Sequence, residues 1–259
     1  MNGPLAQILP ANIWAMFLVF TRVGAMLGFL PGFGDSYVPQ RVRLVLAIGI
    51  AFAIEPLIAS SVGLPVQPAS AIQSFLMILG EVIVGGFFGI SARILLSMLE
   101  TGGAIIAMQT SLASAVTYNP GAQAQETIPA NLLSMLTVAL IFGTDLDHLL
   151  IRGMVSSYDI FPPGHMPPIA DLSNAISHLV SQGFTIAVEL AAPFLIIGTV
   201  FYVVLGLISR IMTQLQVFYI AMPAQLIGGM IMLFVLLFTL VNWFLEKFAM
   251  IMANLMRVN

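Results

Sequence analysis

The chain is 259 residues long, 59% hydrophobic and only 7% charged, with a net charge of −3. A soluble domain carries about a quarter charged residues, so this composition cannot clothe a water-soluble globule and specifies an integral membrane protein. The net negative charge excludes the basic face of a nucleic-acid binder, and the absence of cysteine excludes disulfides, thiolate metal sites and thiol nucleophiles.

A bilayer-crossing helix needs roughly 20 predominantly apolar residues, and the candidate runs are 13–33, 44–64, 72–98, 128–144, 174–209 and 224–252. The first lacks a basic leader and a small-residue cleavage site before it, so it is expected to be retained. Most runs are interrupted. Arg22 lies in the middle of the first, Glu55-Pro56 late in the second, and Pro193 divides the run 174–209. That long run is expected to form two packed pieces or a bent hairpin. The stretch 101–118 is short and rich in Ser, Thr and Gly, and reads as re-entrant or irregular. The segment 145–173, with Asp145, Asp147, Asp159 and Asp171 against Arg152, reads as the longest polar connection and ends in the proline-stiffened "PPGHMPP". Loop charges place Arg41 and Arg43, Arg93 and Arg210 on the cytoplasmic side, and 145–173 outside.

In "GEVIVGGFFGISAR" (80–93), Glu81, Gly85, Gly89 and Arg93 step by four, a helical stripe whose glycines admit another backbone. Glu81 and Arg93 lie roughly 18 Å apart along the axis and cannot pair with each other. Each therefore needs water or a partner from elsewhere. The stripe reads either as ordinary helix packing or as a subunit-contact helix. The segment 105–126 begins apolar, passes to small hydroxyl side chains and reaches the turn signal Asn119-Pro120-Gly121. Irregular backbone survives at membrane depth only when buried in protein or lining a cavity. The segment is thus an ordinary helix end and loop, or a pore plug.

Catalytic constellations are missing. "DLDH" (145–148) places Asp145 and Asp147 on different sides of a helix, His165 and His178 stand alone, and no protease, hydrolase or nucleotide signature is present. No catalytic, cofactor or metal residues are assigned. In "SRIMTQLQVFYIAMPAQ" (209–225), Arg210, Gln214 and Phe218 would share a helical face with Gln216 opposite. Pro223 is expected to start the next helix. The stretch is a cytoplasmic turn or a broken helix of the kind that holds a transported solute.

Four blocks in order carry a family resemblance: "FTRVGAMLGFLPGFGDSYVPQRVRLVLAIGIA" (20–51), "GEVIVGGFFGISARIL" (80–95), "GGAIIAMQTSLASAVTYNPG" (102–121) and "SRIMTQLQVFYIAMPAQLIGG" (209–229). Together they resemble the FliR/SctT family of the type III export gate. Thr213 stands where that family has proline, Thr110 where glycine follows Gln109, and Asn119 where aspartate precedes the proline. The resemblance implies an all-α membrane protein of helical hairpins with broken helices, stacked as one subunit of a helical cone. Residues 1–170 would be a FliP-like portion and 171–259 a FliQ-like hairpin. It implies no enzymatic activity and no cofactor. The expected partners are FliP and FliQ, with FlhB and FlhA, unfolded exported flagellar proteins and membrane lipid. The place implied is the bacterial inner membrane, within the flagellar basal body. The segment 105–122 matches the family's plug loop, and within it Met108, Gln109, Thr110, Ser111, Leu112, Ala113, Ser114, Ala115, Val116, Thr117 and Tyr118 are the expected plug and gate positions. Arg22, Arg41, Arg43, Glu81, Gly85, Gly89, Arg93, Arg210, Gln214, Gln216, Phe218 and Pro223 are the expected subunit-contact or channel-lining positions. The injectisome counterpart and, from another class, a small-solute transporter are the rival readings.

Overall fold

The computed structural model describes residues 4–61, 70–113, 116–119, 124–211 and 217–256. Among the described residues seven helices and one β-ribbon follow in chain order: α1 (Pro4–Phe29), α2 (Gln40–Ser61), α3 (Ala71–Gln109), β1 (Val116–Asn119), β2 (Ala124–Thr127), α4 (Ile128–Gly143), α5 (Leu146–Ile160), α6 (Ile169–Ile211) and α7 (Val217–Met256). The helical fold agrees with the composition. Among the described residues three helices, α3, α6 and most of α7, are long and apolar enough to cross a membrane, and α4 and α5 pass the same test only when taken together as one bent pair.

Packing divides the chain into two units. One contains Met1–Ile94, Phe142–Leu179 and Ala249–Asn259; the other contains Leu95–Ile141 and Val180–Phe248. In the first unit α1 lies against α2 and, more closely still, against α3. A Cβ at Gly85 would meet the Arg22 carbonyl oxygen at 2.2 Å, and one at Gly89 would meet that of Met26 at 2.6 Å. The glycine stripe does admit another backbone, and that backbone is the chain's own α1. Leu18, Met26, Leu27, Leu30 and Phe88 are fully buried there. Met256 occupies the place a side chain at Gly153 would take.

In the second unit the C-terminal part of α3 packs on α4 through Gly103, where a Cβ would lie 2.4 Å from Ala130 Cα. It packs on α6 through Gly102 beside Ala187. Leu99, Ile106, Leu133, Leu190 and Phe194 form the interior. Ser134 Oγ donates to Glu100 Oε1 at 3.1 Å, so a carboxyl of α3 meets a hydroxyl of α4.

Several sequence expectations are corrected. Helix α6 is continuous over 43 residues with Pro193 inside it. The missing N–H removes one backbone bond, whereas ending the helix in an apolar setting would orphan several; Leu190, Ala191 and Phe194, all buried, hold it in place. Pro223 likewise lies inside α7, which already begins at Val217, rather than starting the helix. The stretch 101–118 is helical as far as Gln109, turns, and enters an antiparallel ribbon pairing Val116 with Thr127 and Asn119 with Ala124. Asn119 of the Asn-Pro-Gly signal closes β1, and Pro120 and Gly121 lie outside the described residues. Finally, the polar connection 145–173 holds a whole helix, α5. Leu150, Gly153, Met154, Ser157 and Tyr158 are buried at helical spacing, while Arg152 and Asp159 are exposed.

Candidate functional site

Two polar assemblies stand out, one in each unit. In the first, Arg22 projects from the middle of α1 at the level where Gly85 lets α3 approach. Its Nε donates to Glu81 Oε2 at 2.6 Å, and the two side chains are 2% and 0% exposed. Nη1 donates to the Ser157 carbonyl at 3.2 Å, and the guanidinium stacks 3.9 Å above the Tyr158 ring centroid. The second carboxylate oxygen, Glu81 Oε1, accepts the Gly164 N–H at 2.8 Å. One ion pair thus ties α1, α3, α5 and the 161–168 connection together. Burying it is tolerable because both Glu81 oxygens and two of the three Arg22 nitrogens are satisfied, while Nη2 and the Tyr158 hydroxyl find no partner among the described residues.

Three turns further along α3, Arg93 pairs with Asp35, whose carboxylate is 4% exposed. Asp35 Oδ2 also accepts the Gly32 N–H at 2.8 Å and the Tyr37 hydroxyl at 2.7 Å. Desolvation, then the hydrogen bond and charge of Asp35, push the Tyr37 phenol up. Arg43 donates to the carbonyls of Phe33 and Asp35, both at 3.0 Å. The α1–α2 loop, with Gly32 at φ 82°, is therefore knotted by one buried carboxylate and one guanidinium. The charges that could not pair with each other along α3, Glu81 and Arg93, each find a partner within the chain.

The second assembly surrounds the end of α3. Thr110 N donates to Ile106 O at 3.0 Å and Leu112 N to Ala107 O at 2.9 Å. With Ser111 left-handed at φ 59°, this is a Schellman helix stop, usually made with glycine. Thr110 is 2% exposed and sits where a Cβ at Gly229 of α7 would lie 2.5 Å from its own Cβ. The Gln109 side chain fills the space a Cβ at Gly198 of α6 would need. Gln225 Nε2 donates to the Gln109 carbonyl at 2.7 Å and to the Tyr202 hydroxyl at 3.0 Å. A cleft of about 90 Å³ opens between Gln109, Thr110, Phe194, Gly198, Gln225 and Met232.

Of the remaining expected residues, Leu112 is buried and Met108 is 64% exposed. Ala113, Arg41 and Arg210 are exposed. Ser114, Ala115, Gln214 and Gln216 lie outside the described residues; Val116, Thr117 and Tyr118 follow the β1 backbone, and Phe218 the first turn of α7. Sequence reasoning did not single out Asp35, Ser157, Tyr158, Tyr202 or Gln225. A lone polar residue within an apolar helix was the available signal for Gln225, and an acidic residue in a Gly-Pro loop for Asp35. Asp145, His148 and Asp147 do come together, with ligand atoms within 4.8 Å of one another. Asp145 precedes α5 in a left-handed conformation, φ 57°, and so escapes the helical geometry expected of it. Asp145 and His148 lie open, their side chains 90% and 66% exposed, and Asp147 is partly covered.

Fold and site together define a helical membrane protein that buries charge to position its helices and carries an irregular polar segment at the end of one of them. The chain belongs to the bacterial export proteins, family 1, whose model matches residues 13–251. It is 38% identical to the flagellar biosynthetic protein FliR of Caulobacter vibrioides over 222 residues, covering 86% of this chain and 88% of that protein. The Escherichia coli protein of the same name is 29% identical over 82% of this chain and 80% of its own length. The Yop proteins translocation protein T of Yersinia pestis is 29% identical over 71% of this chain and 70% of its own.

Proposed function

We propose that this chain is a structural and gating subunit of the flagellar type III protein export channel, required for export of flagellar subunits and for flagellum assembly. The carrying observation is the family match over nearly the whole chain. The flagellar reading is favoured over the injectisome by the higher identity and coverage of the Caulobacter relative. The work of the chain is positional, with energy supplied by associated components. Its place is the inner membrane within the basal body.

The helices themselves argue for partners. At 1.5 Å per residue, helices of 39, 43 and 40 residues have contour lengths of roughly 60 Å, against a hydrocarbon core of about 30 Å. Tilt alone would have to reach about 60°, beyond the usual range of up to about 40°. Part of each helix therefore lies outside the hydrocarbon, yet α6 exposes Ile196, Val200, Val203 and Leu207 and α7 exposes Ile227, Phe234 and Phe238. Wherever such a face leaves the lipid it requires protein cover, and FliP and FliQ are the proposed cover, with FlhB and FlhA adjoining. Residues 108–118 act as the plug, and Arg41, Arg210, Gln214, Gln216 and Phe218 as contacts to neighbours or channel water.

Deleting 110–116 tests the gating role. Cells carrying the deletion should leak small ions and molecules while the complex still assembles. Unchanged permeability with intact export would overturn it.

A further inference from the structure

We infer that Gln225 is the latch that fastens the base of the plug to α6 and α7, so that the plug cannot leave its seat until these helices release it. The inference rests on the gating role of 108–118 and adds a residue outside that segment.

The last carbonyls of a helix have no partner within it. At the end of α3, those of Ile106 and Ala107 are taken by the Thr110 and Leu112 amides. That of Gln109 is taken by the side chain of Gln225, at 2.7 Å. A primary amide has two N–H groups, and the second goes to the Tyr202 hydroxyl at 3.0 Å. A single nitrogen therefore joins three helices at the residue before the chain turns left-handed at Ser111. The seat is also steric. Gly198 and Gly229 have no room for a Cβ because Gln109 and Thr110 fill it, so the plug base touches α6 and α7 at these two glycines, beside the cleft.

The latch is built to open. Gln225 is only part-buried and Tyr202 is 44% exposed, so neither hydrogen bond is locked inside this subunit's own core. Sliding α7 by one residue removes the donor from Gln109 and moves Gly229 away from Thr110 together.

The test uses the assembled membrane complex and reads ion conductance in planar bilayers, with assembly checked by co-purification. Gln225→Ala removes both hydrogen bonds and should raise the closed-state leak on the order of tenfold, as expected from one or two ordinary hydrogen bonds. Gln225→Glu, which sets a carboxylate against the Gln109 carbonyl, should leak at least as much. Tyr202→Phe, which keeps the Gln109 bond, should leak less than either, and it serves as the reading if the Gln225 variants do not assemble. In the 110–116 deletion background Gln225→Ala should add nothing. If the deletion leaks while Gln225→Ala, Gln225→Glu and Tyr202→Phe stay tight, the latch is wrong and the plug stands. If Gln225→Ala leaks further on top of the deletion, the residue acts on general packing and the inference is overturned. If the deletion itself stays tight, the plug reading fails first and the latch with it.

Discussion

Replacing Glu81 by leucine isolates the energetics of the buried ion pair. The substitution removes a carboxylate that is 0% exposed with little change in volume. It strands the Arg22 guanidinium, whose Nη2 finds no acceptor among the described residues, with only the Ser157 carbonyl at 3.2 Å and the Tyr158 ring for company. It also orphans the Gly164 N–H. Breaking a buried pair from one side costs about 3–5 kcal/mol, and an unsatisfied buried amide adds about 1–3 kcal/mol. The Arg22→Met, Glu81→Leu double variant leaves no charge at this site and should recover most of that loss, since apolar replacement of a whole buried pair is often neutral. The assay is SDS titration of the purified protein in mild detergent, followed by far-UV circular dichroism. A single variant within about 1 kcal/mol of the parent, or a double variant no better than the single, would refute this account of how α1, α3 and α5 are held.

Three further outcomes follow from the geometry. Gly85→Ala places a methyl 2.2 Å from a backbone oxygen of α1 and should cost at least about 1–3 kcal/mol. Gly86→Ala, one residue on with its nearest neighbour at 4.0 Å, should be neutral or gain up to about 1 kcal/mol of helix propensity; the same SDS titration compares them. Asp35→Asn abolishes the Arg93 ion pair and should make the 30–39 loop a site of limited proteolysis, read by gel and mass spectrometry. Ser111→Gly relieves a left-handed residue at φ 59° and should raise the thermal unfolding midpoint by the equivalent of about 1 kcal/mol.

Composition and helical spacing made the helical membrane fold readable, and the four-residue stripe from Glu81 to Arg93 correctly marked a close backbone approach. The partner of that stripe was not readable, because a charge in an apolar run states only that it needs a counter-charge. Arg22 and Glu81 are 59 residues apart in the chain, and only the fold says that they meet. Helix α5 was hidden by averaging: its buried face is apolar, but its aspartates and Arg152 made the whole segment look like a loop. Pro193 and Pro223 misled in the opposite direction, since local propensity gave way to the cost of opening a helix in an apolar setting. Of the candidate gate, the helix end, the small residues and the turn signal were visible in order. Its fastening at Gln225 comes from 116 residues further along, beyond any local pattern.

The central claim is that this chain serves flagellar protein export, and secretion from a strain lacking it tests that most directly. Culture supernatants are assayed for hook, rod and filament proteins, with the gene restored on a plasmid as control. The account predicts that flagellar proteins disappear from the medium and motility is lost, and that both return with the plasmid. Undiminished flagellar secretion, or loss confined to injectisome effectors, would contradict it.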